Sequence, residues 1–309
     1  MSGGGEHWRR VGGFDGFRAD VIAGDGADIF CRIGGSGPPL LCLHGYPETH
    51  LMWHKVAGAL AERFTVIAPD LRGYGASECP PDTADHAAYS KRQMARDMAA
   101  VMTSLGHDRF AVCGHDRGAR VAYRLSLDAS ARVSRLAILD VIPTLDVWQT
   151  MTRSSAVRLY HWMFLAQPAP LPDDLLAHDP DAWIANRFRR GGPSLPDWLE
   201  ADVLAAYRAA FRDAARRSGS LADYRAGATI DVDHDAADRA AGTRIACPVQ
   251  VLWGARGNLQ DIADPLAIWR PWCSGPISGS EIASGHFIAE EAPDALLGAL
   301  LPFLEAADA

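Results

Sequence analysis

The 309-residue sequence lacks the features that define several protein classes. No apolar run approaches the roughly 20 residues that a membrane-spanning helix needs, so no membrane association is expected. The N-terminal segment MSGGGEHWRR has no apolar stretch after its charges, so a secretory signal is not expected either. There is no basic tract, and 30 Lys and Arg against 38 Asp and Glu give a net charge of −8. An acidic chain of this kind is a poor partner for nucleic acid.

Cysteine is sparse and scattered, which argues against a thiolate metal site. No two cysteines form a C-x-x-C pair, and two of them lie inside apolar runs typical of buried strands. Reduced thiols without a secretory signal predict a cytoplasmic protein. The six cysteines are Cys31, Cys42, Cys79, Cys113, Cys247 and Cys273.

The sequence does contain short apolar segments that alternate with helical stretches. With 48% apolar and 22% charged residues, its composition is typical of a packed soluble domain. Continuous apolar strands separated by helices predict a parallel sheet that is covered on both faces. The fold class is therefore α/β, with an open, mostly parallel sheet preceded by a hairpin over 16–22 and 27–32. The predicted sheet strands are 39–43, 65–68, 110–113, 136–139 and 249–253, and the predicted helices include 52–63, 89–105 and 119–128.

The alternation stops after residue 143 and resumes at Cys247. The stretch between them is rich in Trp, Tyr, Arg and Pro, and its pattern predicts helices only. We therefore predict a core domain formed by 1–143 and 241–309, and a helical cap domain formed by 144–240. Ligands of open α/β sheets bind beyond the carboxyl ends of the strands, so a cap in this position would enclose them.

The strongest chemical signal is the segment GHDRG at 114–118, which lies between an apolar strand and a helix. This is the strand–turn–helix context of the G-x-S-x-G nucleophile motif, with Asp116 in the place of the serine. The alternative is a surface aspartate that caps a helix, but it explains neither the glycine spacing nor the preceding strand. A carboxylate in this position attacks an electrophilic carbon and forms an ester.

A nucleophile of this kind needs an acid and a histidine base, in the chain order nucleophile, acid, histidine. His286 is the only histidine after His234 and is the candidate base. Two carboxylates could serve as the acid: Asp140 directly follows a core strand, and Asp261 lies in the loop after strand 249–253. We favour Asp140, because a buried aspartate at a strand end needs a polar partner and His286 would supply it.

Two backbone N–H groups and two arginines complete the candidate site. In proteins with this motif, an early strand-end loop and the residue after the nucleophile each donate an N–H to an oxyanion, which here indicates Tyr46 and Arg117. Arg117 and Arg120 also place two guanidinium groups in the first turn of a largely buried helix, where the helix dipole opposes them. Either internal salt bridges, for example to Asp140 or Glu48, neutralise them, or they bind a substrate carboxylate. We favour the carboxylate.

Seven motifs along the chain together resemble one family. They are HGYPE at 44–48, DLRGYG at 70–75, GHDRGAR at 114–120, LDVIPT at 139–144, HWMFLAQPAP at 161–170, DYRAGATID at 223–231 and SGHF at 284–287. The family that they resemble is the fluoroacetate (haloacetate) dehalogenases, which are capped enzymes of the α/β-hydrolase fold. The resemblance covers most of the chain from about Pro39 onward. The arginine in HDRGAR stands where haloalkane dehalogenases and most epoxide hydrolases carry tryptophan.

The resemblance implies a role for each candidate residue. It makes Asp116 the nucleophile and His286 the base, and it selects Asp140 as the acid. It also implies that Arg117 and Arg120 bind the carboxylate of the substrate.

In the predicted cap, the sequence pattern around His161, Trp162 and Tyr224 by itself indicates only core packing. The resemblance implies that these three residues form a halide-binding site. Two segments depart from the family pattern. Glu48 stands where Gln is expected, and RFRRGG at 187–192 replaces a more aromatic segment. These departures bear on the substrate rather than on the carboxylate nucleophile.

The predicted reaction is hydrolysis of a haloacetate through an ester on the nucleophile, without a metal or an organic cofactor. The predicted partner is a small-molecule 2-haloacid, and a homodimer is compatible with the sequence. An epoxide hydrolase that acts on a carboxylate-bearing epoxide would use the same catalytic residues, with Tyr160 and Tyr224 as ring-opening acids. A hydrolase-fold binding protein without turnover is a further alternative, which the complete set of nucleophile, acid and base disfavours.

Overall fold

The computed structural model describes residues 11–259, 261–262 and 264–306, which are built around an eight-stranded sheet. The strands are β1 (Arg18–Ala23), β2 (Asp28–Gly34), β3 (Pro39–Leu43), β4 (Thr65–Pro69), β5 (Phe110–His115), β6 (Val133–Leu139), β7 (Val249–Gly254) and β8 (Ile277–Ile282).

The sheet has the strand order β1-β2-β4-β3-β5-β6-β7-β8. The pairs β1–β2 and β2–β4 are antiparallel, and every pairing from β4 to β8 is parallel. All six residues of β5, at the centre, are buried, as expected for a parallel strand with helices on both faces. The predicted α/β class with a mostly parallel sheet is confirmed, and the predicted hairpin is formed by β1 and β2.

The α-helices of the described residues fall into three groups along the chain. They are α1 (Ala57–Ala61), α2 (Lys91–Ser104) and α3 (Asp116–Asp128) before the end of β6; α4 (Thr144–Gln149), α5 (Arg153–Arg158), α6 (Tyr160–Leu165), α7 (Leu171–His178), α8 (Pro180–Arg189), α9 (Ala201–Arg212), α10 (Ala214–Ala228) and α11 (Ile230–Ala241) between β6 and β7; and α12 (Pro265–Trp269), α13 (Ile288–Glu291) and α14 (Pro293–Glu305) after β7.

The helix predicted over 89–105 is α2, which is two residues shorter at its start and one at its end, and the two other predicted helices differ more. The helix predicted over 52–63 is divided into a 3-10 turn over His50–Trp53 and the short α1. The backbone N–H of His50 donates to Asp70 at 2.7 Å, which anchors this turn to the end of β4. By contrast, α3 begins at Asp116, three residues before its predicted start, because the turn residue itself is the first residue of the helix.

The helices between β6 and β7 lie over the carboxyl end of the sheet. Residues 144–241 are all described and contain no strand. Tyr224 of α10 contacts Tyr46 in the loop after β3, with ring centroids 5.1 Å apart, and Asp223 binds Arg117 at the start of α3. The helices therefore cover the edge at which open α/β sheets bind ligands. Among the described residues, none of the helices is both long and apolar enough to cross a membrane.

Candidate active site

Asp116 occupies a sharp turn between β5 and α3. Its backbone φ is +46°, a left-handed conformation that costs a non-glycine residue on the order of 1–3 kcal/mol and persists where the surrounding structure enforces it. Directly behind the turn, a Cβ at Gly118 would lie 2.4 Å from the carbonyl oxygen of His44. Glycine at 118 therefore allows α3 to pass close to the end of β3.

The two carboxylate oxygens of Asp116 have different surroundings. Oδ1 accepts the backbone N–H of Tyr46 at 3.1 Å. Oδ2 lies 3.7 Å from Nε2 of His286. The backbone thus holds one oxygen in place, and the other faces the candidate base.

His286 lies between β8 and α13 and is oriented by Asp140. Its Nδ1 is 2.6 Å from Oδ2 of Asp140, which leaves Nε2 to face Asp116. Asp140 directly follows β6 with a φ of +54°, and its carboxylate also accepts the N–H groups of Gly254 and Asn258 at 3.1 and 2.7 Å. The structure therefore brings the three predicted catalytic residues together in the arrangement of a nucleophile, base and acid.

The other candidate acid, Asp261, lies away from the histidine. Its side chain is half exposed and pairs with Arg158. The same loop supplies Asn258, whose Nδ2 is 3.1 Å from Nδ1 of His286. Asn258 is not among the site residues predicted from the sequence, because the role predicted for this loop was that of an acid and asparagine is not one.

The Asp116 carboxylate is buried and ionised. Burial raises its pKa, but the charges of the surrounding histidines and arginines lower it more strongly, so that the pKa falls to about 2. His286 makes the largest lowering contribution and His115 the next. An ionised carboxylate is the form that attacks carbon.

Arg117 forms a buried ion pair with Asp223 of α10. Its Nε and Nη2 donate to the two carboxylate oxygens at 2.9 and 2.7 Å, and Nη2 also donates to the backbone carbonyl of Asp223 at 2.6 Å. Lys91 binds the same carboxylate. An internal ion pair therefore exists, but its acidic partner is neither Asp140 nor Glu48, the two residues that the sequence suggested.

Both arginines nevertheless keep an N–H group unpaired. Nη1 of Arg120 donates to the carbonyl of Ile142 at 3.1 Å and to Oγ1 of Thr144 at 3.0 Å. Its Nε, and Nη1 of Arg117, are buried and have no hydrogen-bond partner in the described part of the chain. Leaving a buried donor unpaired costs roughly 1–3 kcal/mol. Two such donors on neighbouring arginines favour the binding of an anion.

The residues of the predicted halide site surround these arginines. The guanidinium carbon of Arg117 lies 4.3 Å from the ring centre of Tyr224, and that of Arg120 lies 4.6 Å from that of Trp162. The rings of His161 and Trp162 approach Tyr224 edge-on, with centroids 6.0 and 6.2 Å away. Burial lowers the pKa of His161 well below its usual value, so its ring is neutral. The structure thus places the three residues together beside the arginines.

Two buried acids near the site were not predicted to contribute to it. Glu48 lies 2.8 Å from Nδ1 of His115, the residue before the nucleophile, and both side chains are fully buried. Burial and the neighbouring Glu48 raise the pKa of Glu290 well above its usual value. The only signal in the sequence concerned Glu48, which is a carboxylate inside a strand-end loop at a position where the family pattern has an amide.

Sequence comparison assigns the chain to a family. The model of the alpha/beta hydrolase fold matches residues 38–293. The chain belongs to the α/β-hydrolase family. A fluoroacetate dehalogenase from Burkholderia sp is 39% identical over 94% of this chain and 95% of its own length. A soluble epoxide hydrolase from Corynebacterium sp. (strain C12) is 33% identical over 87% and 91% of the two chains.

Solved structures of similar proteins share the whole fold of this α/β hydrolase. A candidate α/β hydrolase from Nostoc sp PCC 7120 is 43% identical with a TM-score of 0.91, over 95% of this chain and 100% of that chain. The predicted resemblance to the haloacetate dehalogenases is confirmed, and the protein is a hydrolase. Because the relatives include an epoxide hydrolase as well as a dehalogenase, it is the site that indicates the substrate of this α/β hydrolase.

Proposed function

We propose that this hydrolase cleaves the carbon–halogen bond of haloacetates, including fluoroacetate, through an ester on Asp116. The supporting observation is an ionised carboxylate, held by a backbone N–H, beside two arginines that each keep a buried N–H unpaired. A nucleophile for carbon next to a site for an anion suits a substrate with a carboxylate beside its leaving group. The similar Burkholderia protein is a fluoroacetate dehalogenase.

In the first step the substrate carboxylate binds Nη1 of Arg117 and Nε of Arg120. This contact aligns the α-carbon for in-line attack by Oδ2 of Asp116. A carbon–oxygen ester bond forms while the carbon–halogen bond breaks, and the halide leaves with the bonding electrons.

The departing halide is stabilised by the cap. His161, Trp162 and Tyr224 carry N–H and O–H groups that donate hydrogen bonds to the developing negative charge. Fluoride depends on such donors most, because it is a poor leaving group and a strong acceptor.

In the second step His286 removes a proton from a water molecule, which attacks the carbonyl carbon of the ester. Asp140 holds the imidazole and stabilises its protonated form. The backbone N–H of Tyr46, together with that of Arg117, stabilises the oxyanion. Collapse of this intermediate breaks the ester bond, and protonated His286 gives its proton to the departing alkoxide oxygen. The product is the 2-hydroxy acid, glycolate from a haloacetate, and the carboxyl group of Asp116 loses its proton to solvent and is restored as a carboxylate. No metal or organic cofactor takes part.

The direct test is to measure fluoride release from fluoroacetate and chloride release from chloroacetate. A single turnover in ¹⁸O water then tests the ester, because the first product should carry oxygen from Asp116 and the label should appear in the protein. No halide release from either acid would refute the activity. Immediate incorporation of ¹⁸O into the product would refute the covalent step.

A second candidate function is hydrolysis of a carboxylate-bearing epoxide, which the similarity to the Corynebacterium enzyme favours. It needs a phenol that protonates the opening ring. Tyr224 is buried beside Arg117, whereas the hydroxyl of Tyr160 contacts Arg187 and Asn186 at the surface, at 2.5 and 3.3 Å. Conversion of glycidate to glycerate, without halide release from any haloacetate, would support this alternative.

A further inference from the structure

A cleft rich in arginine opens between the cap and the core, next to the predicted halide site. Its volume is about 560 Å³, and His161 forms part of its wall. It is lined by residues of α5, α6 and α8 on the cap side, and by the loops after β7 and β8 on the core side. We call it the arginine cleft, after its lining residues Arg158, Arg187, Arg189, Arg190 and Arg256.

The positive charge of the arginine cleft is compensated only in part, by the ion pair of Arg158 with Asp261. Among the described residues that line it, Glu291 is the only acid, and its two carboxylate oxygens accept the backbone N–H groups of Gly285 and Phe287 at 2.6 and 2.9 Å. Within the described residues, no ion pair engages Arg189 or Arg256. In a chain with a net charge of −8, this concentration of positive charge creates a local attraction for anions.

Buried polar atoms of the arginine cleft also lack hydrogen-bond partners among the described residues. Nε of Arg158, Nε of Arg187 and Nδ1 of His161 are buried and make no hydrogen bond within the described part of the chain. Arg187 is held in place by stacking on Tyr160 and Trp183, with its guanidinium carbon 4.8 Å from both ring centres. An arginine fixed in this way offers prepared donors to a carboxylate.

The arginine cleft adjoins the catalytic residues. Arg190 donates to Oδ1 of Asn258 at 3.0 Å, and Nδ2 of Asn258 lies 3.1 Å from Nδ1 of His286. His161 belongs to the cleft wall and also contacts Tyr224 beside Arg117. The arginine cleft is therefore connected to the site of Arg117 through His161 and Tyr224.

We propose that the arginine cleft is a second anion-binding site, and that it takes the distal carboxylate of a dicarboxylic acid. This inference rests on the proposed function for the position of the first carboxylate, at Arg117 and Arg120. It extends the substrate class from haloacetates to 2-halodicarboxylic acids. It also explains why the segment 187–192 is basic where the family pattern is aromatic.

The test compares the binding of succinate with that of succinamate by titration calorimetry in low-salt buffer. The two molecules have nearly the same shape, but succinamate carries only one charge. We expect succinate to bind about tenfold more tightly to the unaltered protein, the effect of one charge-assisted contact. Added salt should reduce the difference. Equal dissociation constants, or no binding of either molecule, would overturn the proposal.

Variants locate the effect in the arginine cleft. The double variant Arg189→Gln/Arg256→Gln should bring the ratio of the two dissociation constants close to one. Arg96→Gln, at an exposed position of α2, is the control and should keep the ratio of the unaltered protein. An unchanged ratio in the double variant would contradict the proposal. The comparison in the unaltered protein stands even if a variant fails to fold.

The same data separate this inference from the proposed function. Chloride release from chloroacetate together with equal binding of succinate and succinamate would remove the second anion site and leave the dehalogenase proposal intact. Tight binding of succinate without halide release from any haloacid would support the second anion site and refute the dehalogenase proposal.

Discussion

The carboxylate of Glu48 lies 2.8 Å from Nδ1 of His115 in a fully buried contact. The other ring nitrogen of His115, Nε2, lies 2.8 Å from the backbone carbonyl of His286. A carbonyl oxygen only accepts, so Nε2 carries a hydrogen, and the carboxylate favours a hydrogen on Nδ1 as well. Burial opposes the charge on this ring, but the charge of Glu48 outweighs it and raises the pKa of His115 to about 9. A charged pair therefore connects the residue before the nucleophile to the backbone of the base.

This pair predicts a specific dependence of stability on pH. Below the ordinary histidine pKa of 6.5 the ring is protonated in both the folded and the unfolded chain, so the contribution of the pair is complete. Between pH 6.5 and about 9 only the folded chain keeps the proton, so stability falls as the pH rises. Urea unfolding should show a loss of about 3 kcal/mol over this interval, which Glu48→Gln should largely abolish. A variant with the same pH profile as the unaltered protein would contradict the charged pair.

The buried ion pair of Arg117 and Asp223 predicts a large effect on stability. Asp223→Asn leaves the positive charges of Arg117 and Lys91 buried without their carboxylate, which should cost about 3–5 kcal/mol in urea unfolding. Asp181→Asn is the matched control, because Asp181 contacts Arg212 with both carboxylate oxygens but at the surface. Its effect should stay within about 1 kcal/mol. Equal losses in the two variants would mean that burial of the ion pair is unimportant.

The catalytic residues and the buried ion pair of Arg117 differ in how far the sequence could predict them. Asp116, Asp140 and His286 were predicted because each lies in a short segment whose neighbours define the local geometry, at a strand end or beside glycine. Asp223 is 106 residues from Arg117, and their contact depends on how α10 crosses the start of α3. No local sequence pattern predicts how these two helices meet, so the partner of Arg117 could be identified only from the structure.

The strands illustrate the same limit. Continuous apolar runs identified the central strands, because a strand that is buried on both faces is apolar at nearly every position. The helix predicted over 52–63 is wrong at its start, because a tertiary hydrogen bond from His50 to Asp70 fixes a 3-10 turn there. Tertiary contacts overrode helical periodicity at this point.

The two-step mechanism predicts that His286→Asn stops at the ester. Alkylation of Asp116 needs no base, whereas hydrolysis of the ester does. With chloroacetate, the variant should release about one chloride per active site, and the intact mass should rise by one carboxymethyl group. Steady turnover near that of the unaltered protein would remove His286 from the mechanism.

The unpaired N–H groups of Arg117 and Arg120 predict a strong preference for charged substrates. A contact with an ionised group contributes about 1.5–3 kcal/mol, so kcat/KM for chloroacetate should exceed that for chloroacetamide by about 10- to 100-fold. Arg120→Lys should reduce this preference, because a point charge does not reproduce the planar donor pair. Equal kcat/KM for the acid and the amide would show that both arginines are structural.

The position of Tyr224 beside Arg117 predicts a selective effect on defluorination. Tyr224→Phe removes the O–H donor and keeps the ring that stacks on the guanidinium. Losing one donor aimed at a developing charge costs about 10²–10³ in kcat, and we expect that loss with fluoroacetate. Chloride is larger and its charge is more diffuse, so dechlorination of chloroacetate should fall much less. Tyr160→Phe is the control, because its hydroxyl contacts Arg187 and Asn186 at the surface and should leave the fluoride-to-chloride ratio of kcat/KM unchanged. If both rates fall together in Tyr224→Phe, the residue only shapes the pocket and the halide lies elsewhere.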